Sequence, residues 1–119
     1  MSGRVNWSYV AGFFDGEGCV SANGTRSPHY QVVFAQNDTA SLLAIREFLA
    51  EHGVHSKFYG PYGGRCHRLS IDGNNDVLAF CDYMLPYVIV KKRVLEDARR
   101  LLLIFPLLPH YTALRKCAA

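Results

Sequence analysis

One ten-residue stretch near the N-terminus constrains this chain more than any other feature of its sequence. Residues 9–18 read YVAGFFDGEG. Gly12 and Gly16 are four residues apart and would share one face of a helix, with Ala11 beside them. Because glycine costs a helix roughly 1 kcal/mol per residue, a compensating close approach by a second helix is expected. The stretch therefore predicts a helix that packs through a face of small residues.

Two acids stand at the predicted end of this helix. Asp15 and Glu17 occupy its last turn, where the partial negative charge of the helix C-terminus disfavours further negative charge. Acids placed against this field suggest a bound cation. Gly16 and Gly18 then interrupt the helix, and the weak alternation of the residues that follow predicts a strand.

This decapeptide resembles the signature motif of the LAGLIDADG homing endonucleases. The identical positions are Ala11, Gly12, Asp15 and Gly18, and the apolar positions of the motif are Val10, Phe13 and Phe14. Gly16 takes the place of an alanine, and Glu17 takes the place of the second aspartate. The motif occurs once, and the resemblance extends over nearly the whole chain.

The totals are those of an ordinary globular domain. With 119 residues, of which 50% are hydrophobic and 19% charged, residues 1–119 are predicted to form a single domain with its own core. No apolar run has the length of a membrane span, and the N-terminus has no signal-peptide pattern, so we expect neither a membrane partner nor secretion. The net charge of +3 permits nucleic acid as a partner without requiring it.

The cysteine spacing argues against a structural metal site. The four cysteines (Cys19, Cys66, Cys81 and Cys117) form no CxxC or Cys/His ligand pattern, so free thiols in a reducing compartment are expected and structural zinc is not. An intracellular protein located at DNA, in the cytoplasm, nucleoid or organelle matrix, fits this pattern.

Hydrophobic periodicity predicts the element order α-β-β-α-β-β-α-α. After the first helix, capped by Asn6 or Ser8, the predicted elements are strands at 19–23 and 30–36, a helix from Asn37 or Asp38 to Gly53, strands at 54–59 and 65–71 around a turn at 60–64, a helix at 76–84, a helix at 91–105, and a short terminal helix. This is the α+β order of one LAGLIDADG domain, αββαββα. The resemblance implies a saddle-shaped, four-stranded antiparallel sheet with helices on one face.

The single motif also has a consequence for assembly. Members of the family contain two motifs in one chain or one motif in each subunit of a homodimer, so the resemblance implies a homodimer. Its interface would be the small-residue face of the first helix, with Ala11, Gly12, Asp15 and Gly16. The symmetry axis would then bring together the two copies of Glu17.

Polar side chains alternate along the predicted strands and would share one sheet face. These residues are Ser21, Asn23, Arg26, His29, Gln31, Lys57, Tyr59, Arg68 and Ser70. A β-ribbon with such side chains fits the major groove of DNA, where they can contact bases or phosphates. An ordinary solvated sheet face has the same composition. The family resemblance favours double-stranded DNA, although a slip of one residue in register would exchange the two faces.

Metal-dependent hydrolysis of a phosphodiester suits the acidic end of the motif. Carboxylates hold Mg²⁺, and two Glu17 side chains at a symmetry axis would repel each other without a cation between them. The carbonyl of Gly16, or that of Asp15 or Gly18, would supply a further oxygen ligand. The resemblance implies that Glu17 is the metal ligand, that Asp15 has a structural or capping part, and that Mn²⁺ can substitute for Mg²⁺.

Two further residues match catalytic positions of the family by order and spacing. Gln36, at the end of the second predicted strand, aligns with a polar residue that orders water near the metal. Lys91 aligns with the basic residue of the catalytic pocket, where an ammonium group can stabilise charge on the phosphate. Their ordinary alternatives are a polar strand end and a solvated helix start, although a cation at a helix start opposes the dipole.

The sequence thus predicts a homing endonuclease that makes a metal-dependent double-strand break in a long, near-palindromic DNA site as a homodimer. Three alternatives remain at this stage. An RNA-binding intron maturase or a cleavage-deficient DNA-binding protein would share the fold, and a plain α+β domain would share the motif by chance.

Overall fold

The computed structural model describes residues 5–23 and 29–104, and these form four helices and four strands. The elements are α1 (Trp7–Glu17), β1 (Gly18–Asn23), β2 (His29–Gln36), α2 (Thr39–Glu51), β3 (Lys57–Tyr62), β4 (Cys66–Ile71), α3 (Asn74–Met84) and α4 (Lys92–Ile104). The predicted order is confirmed over these residues. The predicted terminal helix lies outside them, as does the end of the helix predicted to reach residue 105.

Local sequence signals explain where the first two helices begin and end. Asn6 is the N-cap of α1, since its Oδ1 accepts a hydrogen bond from the N–H of Tyr9 at 2.8 Å. Asp38 caps α2 in the same way, accepting from the N–H of Ala40 at 3.1 Å. After α2, Gly53 takes a positive φ of 79°, which glycine adopts without a steric penalty.

The four strands form one antiparallel sheet in the order β1-β2-β4-β3. Phe34 of β2 pairs with Gly18 of β1 on one side and with Leu69 of β4 on the other. Because side chains alternate along a strand, Phe34 and Leu69 share the face that is buried in the core. The helices cover that face, which confirms the predicted α+β layering.

Three phenylalanines tie α1 to the sheet and to α3. Phe14, Phe34 and Phe80 are fully buried, with ring centroids 5.4 to 5.9 Å apart and mutually tilted planes. Tilted pairs of this kind contribute about 0.5–1.5 kcal/mol each beyond the burial of their area. This cluster fixes the position of the C-terminal half of α1 against β2.

The second hairpin differs from its prediction. The turn expected at 60–64 is shorter, because Gly60 and Pro61 belong to β3 and the turn lies at 63–65. Proline is tolerated in β3 because this is an edge strand with one unpaired side. The ladder with β4 is also irregular between Tyr59 and Tyr62. The predicted residues 54–56 of this strand are not in the sheet.

Within the described ranges 5–23 and 29–104, no helix combines the length and apolar character that a membrane span needs.

The third helix begins two residues earlier than predicted, at Asn74, and its N-cap Gly73 has no side-chain hydrogen bond. Cys19, Cys66 and Cys81 are free thiols, as expected, while Cys117 lies outside the described residues.

Candidate nucleic-acid interface and metal site

The junction between α1 and β1 depends on a glycine. Gly18 caps α1, and its N–H donates to the carbonyl of Phe14. A Cβ added at Gly18 would lie 2.9 Å from that carbonyl oxygen and would also collide with the Phe14 ring. Only glycine allows the chain to pass directly from helix to strand here. The tight junction leaves Glu17 exposed at the end of the helix.

Asp15 binds the loop that precedes α4. Its Oδ2 accepts a hydrogen bond from the N–H of Ile89 at 2.8 Å, and its Oδ1 accepts from the N–H of Lys91 at 3.0 Å. Desolvation by itself would raise the pKa of Asp15, but backbone hydrogen bonds from residues 89–91 and the charge of Lys91 outweigh it and lower the pKa. Both carboxylate oxygens are thus engaged within the chain, in a capping arrangement.

Lys91 places its charge at the C-terminus of α1. Its Nζ donates to the carbonyl oxygens of Phe14 at 3.0 Å and Asp15 at 2.7 Å, in the last turn of the helix, where carbonyl groups need partners from outside it. Lys91 directly precedes α4, and its carbonyl accepts a hydrogen bond from the N–H of Leu95 in that helix. Its ammonium stabilises the negative end of α1, two residues from Glu17.

Gln36 reaches the same end of the sheet. Gly18, the first residue of β1, pairs with Phe34. Gln36 is two residues further along β2, so it lies beyond this pair, toward the α1–β1 junction. Its Oε1 accepts from the N–H of Asn37 at 2.8 Å, which leaves its amide N–H groups for another partner. The structure therefore brings Glu17, Gln36 and Lys91 together at one end of the domain.

The predicted DNA-contact residues share the sheet face that the helices leave open. Ser21 pairs with Gln31, Lys57 with Ser70, and Tyr59 with Arg68. Because side chains alternate along each strand, all six residues lie on the same face of the sheet as Val33, and Phe34 lies on the other face. The backbone positions of Asn23 and His29 are also paired on this face. Arg26 lies outside the described residues. The open face is defined here by Ser21, Asn23, His29, Gln31, Lys57, Tyr59, Arg68 and Ser70.

One acid on the open face, Asp72, is not among the predicted DNA-contact residues. Its Oδ1 accepts hydrogen bonds from Gln31 Nε2 at 2.6 Å and from Ser70 Oγ at 2.5 Å. Desolvation would raise the pKa of Asp72, but these hydrogen bonds and the nearby Lys57 and His29 lower it. The alternation Arg68, Ser70, Asp72 was the available signal. Ser70 itself is only 2% exposed, so its contribution to the open face is the hydrogen bond that it donates to Asp72.

The small-residue face of α1 is partly open and partly buried. Gly12 and Gly16 are exposed, and a Cβ at either would meet nothing within 4 Å. Nothing inside the described chain requires glycine at these two positions. Ala11, in contrast, is 1% exposed and packs into the core of its own chain, so its assignment to a subunit interface is wrong.

The acids available to a metal are few. Among residues 5–23 and 29–104, no group of three or more His, Cys, Asp and Glu side chains could hold an ion. Because Asp15 is engaged with the loop and Lys91 occupies the carbonyls of residues 14 and 15, Glu17 and the carbonyl of Gly16 are the ligands left at the end of α1. The described part of one chain therefore offers too few ligands for a complete metal site.

Comparison with solved structures shows the same architecture in several endonucleases. The chain is similar to the homing endonuclease I-CvuI, solved with its target, with a TM-score of 0.71 and 18% identity over 84% of this chain and 67% of that one. It is similar to the homing endonuclease I-TnaI, with a TM-score of 0.71 and 22% identity over 96% and 82%. It is also similar to the archaeal intron-encoded homing endonuclease I-Vdi141I complexed with DNA, with a TM-score of 0.65 and 23% identity over 81% and 65%.

Sequence comparison gives the family. No curated protein sequence matches the chain significantly. Residues 5–84, well over half of the chain, match the sequence profile described as a LAGLIDADG-like domain. This span includes the α1 motif and both hairpins, and it ends at the last residue of α3. The chain therefore belongs to the family of LAGLIDADG-like domains, and it has the fold of the LAGLIDADG homing endonucleases.

Proposed function

We propose that this chain is a site-specific DNA endonuclease of the homing type, which cuts both strands of a long, near-palindromic target as a homodimer. The observation that carries the proposal is the position of Glu17. Its exposed carboxylate lies at the end of α1, the helix end to which Lys91 bonds and toward which β2 carries Gln36. Residues 1–119 would form one catalytic domain, acting on DNA inside the cell.

The open face supplies the proposed DNA contacts. Its side chains include the cations Lys57 and Arg68, the amide of Gln31, and the hydroxyl groups of Ser21 and Tyr59. Cations position a protein on phosphates, while amides and hydroxyls bond to the edges of bases in the major groove. The opposite face is filled by the apolar core, so the sheet can offer only this side to DNA.

The exposed glycines of α1 support the homodimer. Because a Cβ at Gly12 or Gly16 would meet open space, the cost of two helical glycines has no compensation among residues 5–23 and 29–104. Contact with the same helix of a second copy would provide it, since two helices can approach closely only where side chains are absent. An isologous contact there would bring the two Glu17 residues near the axis.

The residues at the end of α1 fit a divalent cation in a dimer better than in a monomer. Each chain offers the Glu17 carboxylate and the Gly16 carbonyl, and hard oxygen ligands of this kind suit Mg²⁺, with Mn²⁺ as a substitute. When bound, the cation would neutralise charge on the phosphate and lower the pKa of an attacking water. Two chains and a DNA phosphate would together provide the oxygens that one chain lacks.

Gln36 and Lys91 would act on the same phosphate from the protein side. The amide N–H groups of Gln36 remain for a water molecule, because its Oε1 is bound to the N–H of Asn37. Lys91 uses two hydrogen bonds to hold the end of α1 and has a third N–H for the solvent or phosphate. A fixed positive charge next to the scissile phosphate stabilises the transition state without reorganisation.

Cleavage of a randomised near-palindromic DNA library in Mg²⁺, compared with Glu17→Gln, tests the proposal. We expect wild type to enrich one cut site with short 3′ overhangs and the variant to bind that site without cutting it. Asp82→Asn removes a charge from an exposed ion pair between Asp82 of α3 and Arg99 of α4, and should cut normally. Binding without cutting by wild type in Mg²⁺ and Mn²⁺ would indicate a DNA-binding protein. Binding only to structured intron RNA would indicate a maturase.

A further inference from the structure

The open face contains one carboxylate that the proposed cleavage chemistry does not use. Asp72 follows β4 directly and bonds to both neighbouring strands, through Gln31 of β2 and Ser70 of β4. An acid on a surface meant for DNA weakens binding, because it repels phosphates and cancels the charge of a neighbouring Lys57. Its presence there requires a compensating role.

The hydrogen bond to Gln31 determines which end of the amide faces outward. An ionised carboxylate can only accept hydrogen bonds, so the NH2 group of Gln31 must face Asp72, as the 2.6 Å contact shows. Ser70 donates to the same oxygen and restrains it further. Within the described part of the chain, no hydrogen bond is made to Gln31 Oε1. The carbonyl end of the amide is therefore left for an external donor.

We propose that Asp72 is a positioning residue for DNA sequence recognition, which anchors the Gln31 amide so that its Oε1 faces a base in the major groove. The inference rests on the proposed function and assigns a part of its specificity. Adenine and cytosine present an amino group in the major groove, whereas thymine and guanine present acceptors there. An outward carbonyl oxygen favours the first pair and repels the second. Each half-site would therefore have one position that requires adenine or cytosine.

Asp72→Asn is the variant that separates this role from a merely structural one. It keeps the shape of the side chain, but an amide both donates and accepts, so Gln31 could turn either end outward. We expect the variant to lose roughly tenfold in discrimination at one base pair per half-site, the size of effect typical of one well-made base contact. The other positions should keep their preferences. Affinity for random DNA should rise, because a negative charge has been removed.

Binding of the full-length protein to its selected site, varied one base pair at a time, measures this directly. Asp82→Asn, which removes the same charge from α3 away from the open face, controls for net charge. In a Gln31→Ala background, Asp72→Asn should cause no further change at that base pair. Circular dichroism of each variant confirms folding.

Three results would overturn the inference. The first is an Asp72→Asn profile identical to that of wild type, and the second is a uniform loss at every position. The third is an effect of Asp72→Asn that persists without the Gln31 side chain. Each leaves the proposed function standing. A wild-type protein that selects no DNA sequence would refute the proposed function itself, and the inference with it.

Discussion

Replacing Asp15 with asparagine should destabilise the subunit by an amount that the geometry allows us to estimate. The carboxylate accepts one hydrogen bond from the N–H of Ile89 and one from that of Lys91. The amide keeps one acceptor oxygen but turns its NH2 group toward the other N–H, so one bond is lost and two donors face each other. Since a hydrogen bond to a charged group contributes about 1.5–3 kcal/mol, we expect a loss of about 2 kcal/mol in the free energy of unfolding at neutral pH.

The difference between wild type and Asp15→Asn should disappear in acid. Burial alone would raise the pKa of Asp15. The backbone N–H groups and Lys91 outweigh burial, so the folded-state pKa lies below the ordinary value of 3.8. A group with a lowered folded-state pKa adds stability above its unfolded-state pKa, and this stability is lost as the pH falls through the folded-state value. A protonated carboxyl group has nearly the shape and hydrogen-bonding capacity of an amide. Below the folded-state pKa the two proteins should therefore unfold alike.

Urea unfolding followed by circular dichroism, from pH 7 down to about pH 3, measures the difference across this range. Asp97→Asn is a suitable control, because it removes the same charge from an exposed pair with Arg100 and should cost less than about 1 kcal/mol. If Asp15→Asn costs no more than Asp97→Asn at pH 7, the capping contacts contribute little. A loss that stays constant down to the acid limit would show that the charge of Asp15 is not its cause.

Three further changes test other parts of the argument. Gly18→Ala places a Cβ 2.9 Å from the Phe14 carbonyl and against the Phe14 ring, and should cost about 1–3 kcal/mol in thermal unfolding. Gly12→Leu should leave the subunit folded but shift sedimentation from dimer to monomer, and an unchanged dimer would exclude α1 as the interface. Lys91→Met should slow cleavage at least tenfold with site binding retained, and wild-type rates would contradict its role.

The strands and helices of this fold were predictable because hydrophobic alternation and helix caps are local signals. Asn6, Asp38 and Gly53 mark helix ends by their own chemistry, and the polar residues of the open face follow the period of two. The β3 hairpin was misjudged because Gly60 and Pro61 are turn residues in most contexts. Only the strand order, which makes β3 an edge, allows them inside a strand.

Contacts between distant segments could not be inferred from periodicity. The fate of Ala11 depends on whether α1 turns that side chain toward the sheet or toward a second helix, and small size is compatible with both. Lys91 looked like a cation opposed to a helix dipole, yet it bonds to the end of a helix more than seventy residues earlier in the chain. Asp72 was not predicted, because its partners Gln31 and Ser70 come together only after β2 and β4 pair.

Helix geometry explains why the two acids of the motif, Asp15 and Glu17, have different surroundings. Residues two apart in an α-helix point about 200° away from each other, so Asp15 and Glu17 cannot face the same partner. The Phe14 cluster fixes the rotation of α1 and turns Asp15 toward the loop before α4. Glu17 is then left at the opposite side, exposed, at a tight junction that only Gly18 permits. The same packing that makes one acid a structural cap thus leaves the other available to bind a cation, and exchanging their two roles would require α1 to rotate out of its core.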